Sequence, residues 1–414
     1  MTIRTFVLTL MCLGMLAVPA VADFQLTDSD RVVFYGDRMT KLPEIGQSVE
    51  QFVRIRYPNL KTRFWHAAPR GRATAKSGLI EFNAVVPELE PTVVILGFGS
   101  SDPAGRPFDR GGYEDFMAAM DAMTERCRGL GAAVYFLTPP RPEIQHKKLY
   151  TGTKYDATVR LYCDGLVGLA NQLGAVVIDW NAAMTEYVAG GGGQNPQELF
   201  MGKTGITPSD EAIAVAVDLF LSQWQAEPIE ATIRVDWTSP EIETSGCTAR
   251  ASHPSDNSLL LEVHGVPIPW AINGRRNRFK TEWPVRRFCR LILTVDHAPD
   301  GKLAISTARD KASFNVDGEQ LRLGYDLASG GPLFDAEETA RLVKVIGEKN
   351  NAHNRLMAFD RDSAKKPKPE PELARAYELH RQMWHEYNRG WSEVVNRTPR
   401  RVDITIHIKG IGGK

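Results

Sequence analysis

The stretch that most constrains this chain is Arg31-Val32-Val33-Phe34-Tyr35-Gly36-Asp37-Arg38-Met39-Thr40. Val32 to Tyr35 are β-branched or aromatic with no polar alternation, so a strand made from them has to be covered on both faces. Gly36 then turns the chain, and Asp37 opens a polar run. In an open α/β sheet the carboxyl ends of the strands face a crevice on which loops and helix N-termini converge. Whatever follows Gly36-Asp37 is therefore expected at a pocket, and the rest of the chain has to supply a parallel sheet with helices on either side.

Four further apolar runs meet that demand: 62–65, 92–96, 133–137 and 176–179. Between them, segments with apolar residues at helical spacing run over 44–57, 113–130 and 157–173. A last helix, 209–224, opens on a Ser-Asp-Glu cap signature. Strand and helix alternating in this way predict a three-layer α/β/α, flavodoxin-like unit with a parallel five-stranded sheet over residues 23–228. From 229 the period shortens, and runs such as Ile233–Trp237, Leu259–Val263 and Leu291–Val295 read as a small antiparallel β-rich unit over 229–330. Residues 331–414 read as a helical extension: Asp335 and Glu338 form a capping box for a helix through Lys349, and 365–371 suits an extended linker. Leu373, Tyr377, His380, Trp384, Tyr387 and Trp391 make a stripe on one helix face, and Val402 to Ile408 alternate as a half-buried strand. At 414 residues more than one unit is expected.

The first stretch resembles block I of the SGNH (GDSL-like) hydrolases, an apolar strand followed by Gly-Asp-Ser, an apolar residue and Thr. The resemblance covers about residues 30–225 and implies an ester hydrolase with catalytic groups at successive strand ends. Its chemistry departs from the family at every block. Arg38 stands in the place of the nucleophilic serine, and a guanidinium stays protonated and has no lone pair to attack with. Ala68 stands where block II has the glycine whose N–H serves the oxyanion; it keeps the N–H, but Pro69 restricts its backbone. In Gly97-Phe98-Gly99-Ser100-Ser101-Asp102, Gly99 takes the place of the asparagine donor of block III. In block V, Thr204 and Thr207 replace the aspartate and histidine, and threonine takes no proton near neutral pH. The resemblance therefore implies a pseudoenzyme.

Two uses of such a pocket follow. Arg38, Arg70, Arg72 and Lys203 lie in loops expected around one crevice and would suit an anionic or acylated glycan, unless Arg38 pairs internally with Asp37 or Asp102. A rearranged esterase is the alternative, with His66 at the end of the second strand as base for Ser100 or Ser101 at the end of the third. The rings of the 373–391 stripe, or the β-rich unit around Trp270 and Trp283, are further candidate sugar surfaces, although aromatic residues at helical spacing are mostly core.

Equal numbers of basic and acidic residues, 50 each, argue against nucleic acid as a partner, and no motif calls for a metal or cofactor. Residues 1–22 combine Arg4, an apolar core and Ala20-Val21-Ala22, the pattern of a cleavable secretory signal. The expectation is a secreted or periplasmic protein without stable membrane insertion once the signal is removed. Export permits oxidation, so Cys247 and Cys289, in the same β-rich segment, are expected to pair.

Overall fold

The computed structural model describes residues 24–37, 44–67, 69, 73–103, 105–142, 152–189, 208–268, 270, 289–307, 313–327, 339–351, 353 and 401–411, with single positions between 375 and 395. The first sheet is built from β1 (Arg31–Gly36), β2 (Arg63–His66), β3 (Val93–Gly97), β4 (Ala133–Leu137) and β5 (Val176–Ile178), parallel throughout in the order β2-β1-β3-β4-β5. The apolar run of β1 has the predicted cause. Val32 and Phe34 enter the core on one face, Val33 and Tyr35 the core on the other, and all four are at most 1 % exposed. One face is covered by α1 (Glu44–Arg56), α5 (Trp180–Ala189) and α6 (Asp210–Gln223). The opposite face carries α2 (Ala75–Phe82), α3 (Arg110–Gly129) and α4 (Gly152–Leu173). Ser209 caps α6 as expected, its hydroxyl accepting from the Ala212 N–H at 3.2 Å.

The region after residue 228 differs from the small antiparallel unit expected. It forms two sheets from β6 (Ile229–Asp236), β7 (Ile242–Ser245), β8 (Thr248–Ser255), β9 (Ser258–Pro267), β10 (Cys289–Asp296), β11 (Lys302–Thr307), β12 (Ser313–Asp317), β13 (Tyr325–Asp326) and β14 (Arg401–Gly410), with a short helix α7 (Gly318–Leu323). The orders are β13-β10-β6-β7 and β12-β11-β14-β9-β8. β10 lies parallel to β6, because the chain passes through β8 and β9 of the other sheet between them, and a crossover rather than a hairpin yields parallel strands. The alternating C-terminal run does form a strand, and it sits between β9 and β11 in the middle of its sheet.

Cys127, Cys163, Cys247 and Cys289 are free thiols, which overturns the expected Cys247–Cys289 pair. Cys289 is registered with Ile229 on one side of β6, and Cys247 follows β7 on the other side, its Sγ 4.0 Å from the Thr232 carbonyl. Two strand spacings of about 4.8 Å place them beyond the roughly 7 Å Cα separation a disulfide spans.

α1 is buried from Ile45 to Ile55. Ile45, Val49, Phe52 and Val53 join the core on the sheet, whereas Gln47, Glu50, Gln51 and Arg54 carry the pattern of a solvent-facing stripe. That stripe is covered by the C-terminal part of the chain. Residues 339–351 form a helix, α8. Gln47 donates to the Val343 carbonyl at 2.6 Å, and Lys349 Nζ donates to Glu50 Oε1 and Oε2 and to the Phe64 carbonyl at 2.6, 2.5 and 2.9 Å. Trp270 donates from Nε1 to the Ser48 carbonyl at 2.9 Å and meets Phe52 edge-on. One hydrophobic core therefore runs from the parallel sheet through α1 into both later sheets. The capping box at 335–338, the 365–371 linker, the aromatic stripe, Trp283 and residues 1–22 lie outside the described residues. Among the described residues no helix is long and apolar enough to cross a membrane.

Candidate functional site

β1 and β3 end level, Gly36 opposite Gly97, and the Asp37 N–H donates to the Gly97 carbonyl at 2.8 Å. Beyond this point the chain turns through Gly99, whose φ of +105° favours glycine and disfavours any side chain. An L-residue at this position would be strained. The turn is held by Asp37, 2 % exposed, whose Oδ2 accepts from the Ser100 N–H, the Ser101 N–H and the Ser100 hydroxyl at 2.8, 3.1 and 2.5 Å. Asp102 closes it from the other side. Its Oδ2 accepts from the Gly99 N–H at 3.0 Å, and its Oδ1 takes the Ala75 N–H at 2.9 Å, satisfying a donor at the start of α2. Tyr155 of α4, buried, donates its hydroxyl to the Ser100 carbonyl at 3.3 Å.

Two carboxylates thus hold one turn at the ends of β1 and β3. Burial pushes the Asp102 carboxyl up to about 7, and the neighbouring Asp37 charge acts in the same direction, against the hydrogen bonds from Ala75 and Gly99. The Tyr155 phenol is pushed up to about 12 by burial and by the same two acids. Asp102 is protonated more readily in the folded chain than in the unfolded one, whose ordinary value is 3.8. Its contribution to stability is therefore complete below about 3.8 and is lost as pH rises through about 7. Unfolding midpoints measured from pH 4 to 7 should carry a downward component of at most about 1.4 kcal/mol per pH unit, absent in Asp102→Asn. Equal slopes in the two proteins would remove this assignment.

His66, at the end of β2, is 3 % exposed and stacks on Phe34 at 5.1 Å between ring centroids. α1 passes directly over the imidazole: a Cβ at Gly46 would lie 1.9 Å from His66 Cε1, so glycine is what permits the approach. The Ser100 hydroxyl donates to Asp37, whereas the imidazole lies in the core on the α1 face. The structure thus brings Asp37, Ser100, Ser101 and Asp102 together at the ends of β1 and β3. Asp37 as the organiser of this turn and Tyr155 as its second support were not singled out from sequence; the Gly-Asp pair after β1 was the available signal for the first, and a tyrosine in a helix carried none for the second.

No protein-family model matches the chain, and no curated protein sequence does. Solved structures do. The gut microbial diltiazem-metabolizing enzyme BT4096 superposes with a TM-score of 0.71 at 16 % identity, covering 93 % of this chain and 98 % of its own. Axe2, an acetylxylan esterase from Geobacillus stearothermophilus, matches at a TM-score of 0.41 and 18 % identity over 48 % of this chain and 96 % of its own. LAE5, an alpha/beta hydrolase from the metagenome of Lake Arreo, Spain, matches at 0.42 and 16 % over 49 % and 98 %. Over nearly its whole length the chain shares the fold of BT4096. The described residues at the strand ends are Gly36 and Asp37 for β1 and residues 97–103 for β3. Arg38, Ala68, Arg70, Arg72, Lys203, Thr204 and Thr207 lie outside the described residues. Among the described residues no group of His, Cys, Asp and Glu is arranged to hold a metal.

Proposed function

We propose that this SGNH-type chain works by binding, holding an acidic or acylated glycan at the carboxyl ends of β1 to β3 without hydrolysing it. The observation that carries this reading is how the polar groups of the crevice floor are used. Asp37 holds the turn through Ser100 and Ser101, and Asp102 joins that turn to the first residue of α2. Both acids serve as supports of the backbone. The sequence agrees, with Arg38 in the nucleophile's place and Thr204 and Thr207 in those of the acid and base. Arg38, Arg70, Arg72 and Lys203 supply the positive charge that a uronate or sulfate group would pair with. The charge, apolar core and small residues of 1–22 support placing the protein in the periplasm or outside the cell.

Calorimetric titration of acidic oligosaccharides should give saturable heat with the wild type and an affinity at least about tenfold lower with Arg38→Ala, the loss expected for a hydrogen bond between charged groups. Absence of heat from both proteins would sink the binding reading. The esterase alternative rests on the Ser100 hydroxyl, which has a buried carboxylate as its acceptor. p-Nitrophenyl acetate turnover abolished by Ser100→Ala would establish it in place of binding.

A further inference from the structure

The polar contact between α1 and α8 lies away from the crevice floor and has no part in the binding reading so far. Lys349 has three N–H donors, and each has one acceptor: the two carboxylate oxygens of Glu50 and the Phe64 carbonyl. The ammonium and the carboxylate are buried, at 5 % and 0 % exposed. Arg54 lies 3.5 Å from Glu50 and donates to the Leu60 and Thr62 carbonyls, which lead into β2. Phe64 is two residues before His66, and Glu50 lies under two turns from the start of α1 at Glu44. A single ammonium therefore joins α1 to β2, the strand beside β1.

Buried ion pairs of this kind are a poor source of stability, because desolvation offsets the attraction, and their best-attested use is to fix register. The same interface leaves the buried carboxamides of Gln51 and Asn350 without a hydrogen-bond partner among the described residues, which adds a cost that an apolar contact would avoid. A contact with these costs is better suited to fixing position than to adding stability.

We propose that Lys349 is a positioning residue of the crevice: by gripping Glu50 and the Phe64 carbonyl together, it sets the spacing between the first turn of α1 and the end of β2. Through it the C-terminal part of the chain controls the shape of one wall of the pocket. The idea rests on the binding reading only for its consequence, tighter or weaker ligand affinity. Its geometric content stands apart.

The test uses the full chain with both charges removed, Glu50→Met/Lys349→Met, so that neither is left buried alone; Gln47→Ala serves as a milder second variant. Hydrogen exchange at the amides of α1 and β2 should be at least tenfold faster in the double variant, with β9 unchanged, and acidic-oligosaccharide affinity should fall at least tenfold while thermal unfolding stays cooperative. Gln47→Ala should shift exchange in α1 in the same direction. Exchange that is unchanged, or faster to the same extent in β9, would overturn the positioning role. A wild type that binds no oligosaccharide would defeat the binding reading alone, since the exchange comparison needs no ligand.

Discussion

Glu50→Ala is expected to destabilise the protein by about 3–5 kcal/mol, the cost of leaving a buried charge without its counter-ion. Lys349 would keep only the Phe64 carbonyl, and Arg54 would lose its nearby carboxylate while retaining its two carbonyl acceptors. The penalty comes from the orphaned ammonium, so the Glu50→Met/Lys349→Met protein should recover most of it, even though it makes fewer polar contacts. Guanidinium unfolding midpoints at an unchanged slope measure both. A loss below about 1 kcal/mol for Glu50→Ala would mean that water reaches Lys349 and that the network is not dry.

Arg38→Ser is expected to restore none of the ester hydrolysis its position implies. In a serine triad the nucleophile and base act as a unit, and loss of either leaves a deficit of about 10⁶ in rate, because an unactivated hydroxyl is a poor nucleophile. On the SGNH resemblance, Thr204 and Thr207 take the places of the block V acid and base and offer no proton acceptor, and Gly99 in the place of the asparagine donor has no side chain for an oxyanion. p-Nitrophenyl ester turnover by the Arg38→Ser protein should stay at the rate of buffer. A clear gain would show that another base lies within reach of residue 38, and the binding reading would have to give way to a dormant enzyme.

How much of this was readable in the chain depended on how far the deciding contacts reach. The parallel sheet was legible because its cause is local: strands covered on both faces leave uninterrupted apolar runs, and the helices between them keep their spacing. The cap at Ser209 and the alternation of the last strand were legible for the same reason. The pairing of those later strands was not. β14 meets β9 and β11 from about a hundred residues away or more, and the alternation that marks it as a strand says nothing of its neighbours. The two cysteines shared a segment but flank β6, a fact of strand order alone.

The candidate site divides in the same way. The expectation that Arg38, Gly99, Thr204 and Thr207 stand in the family's catalytic places comes from the sequence alone. The use made of the remaining acids was decided only by the tertiary structure. Asp37 and Asp102 come from different strand ends, and each became a backbone support because the ends of β1 and β3 and the start of α2 meet there with N–H groups to satisfy. The amphipathic α1 reads as a surface helix, yet its polar stripe is covered by residues about three hundred positions later. The chain by itself determined the layers of the parallel-sheet unit, because periodicity and side-chain type act locally. Which charges are buried together, and which wall of the crevice they hold, depended on contacts that exist only once distant segments have packed.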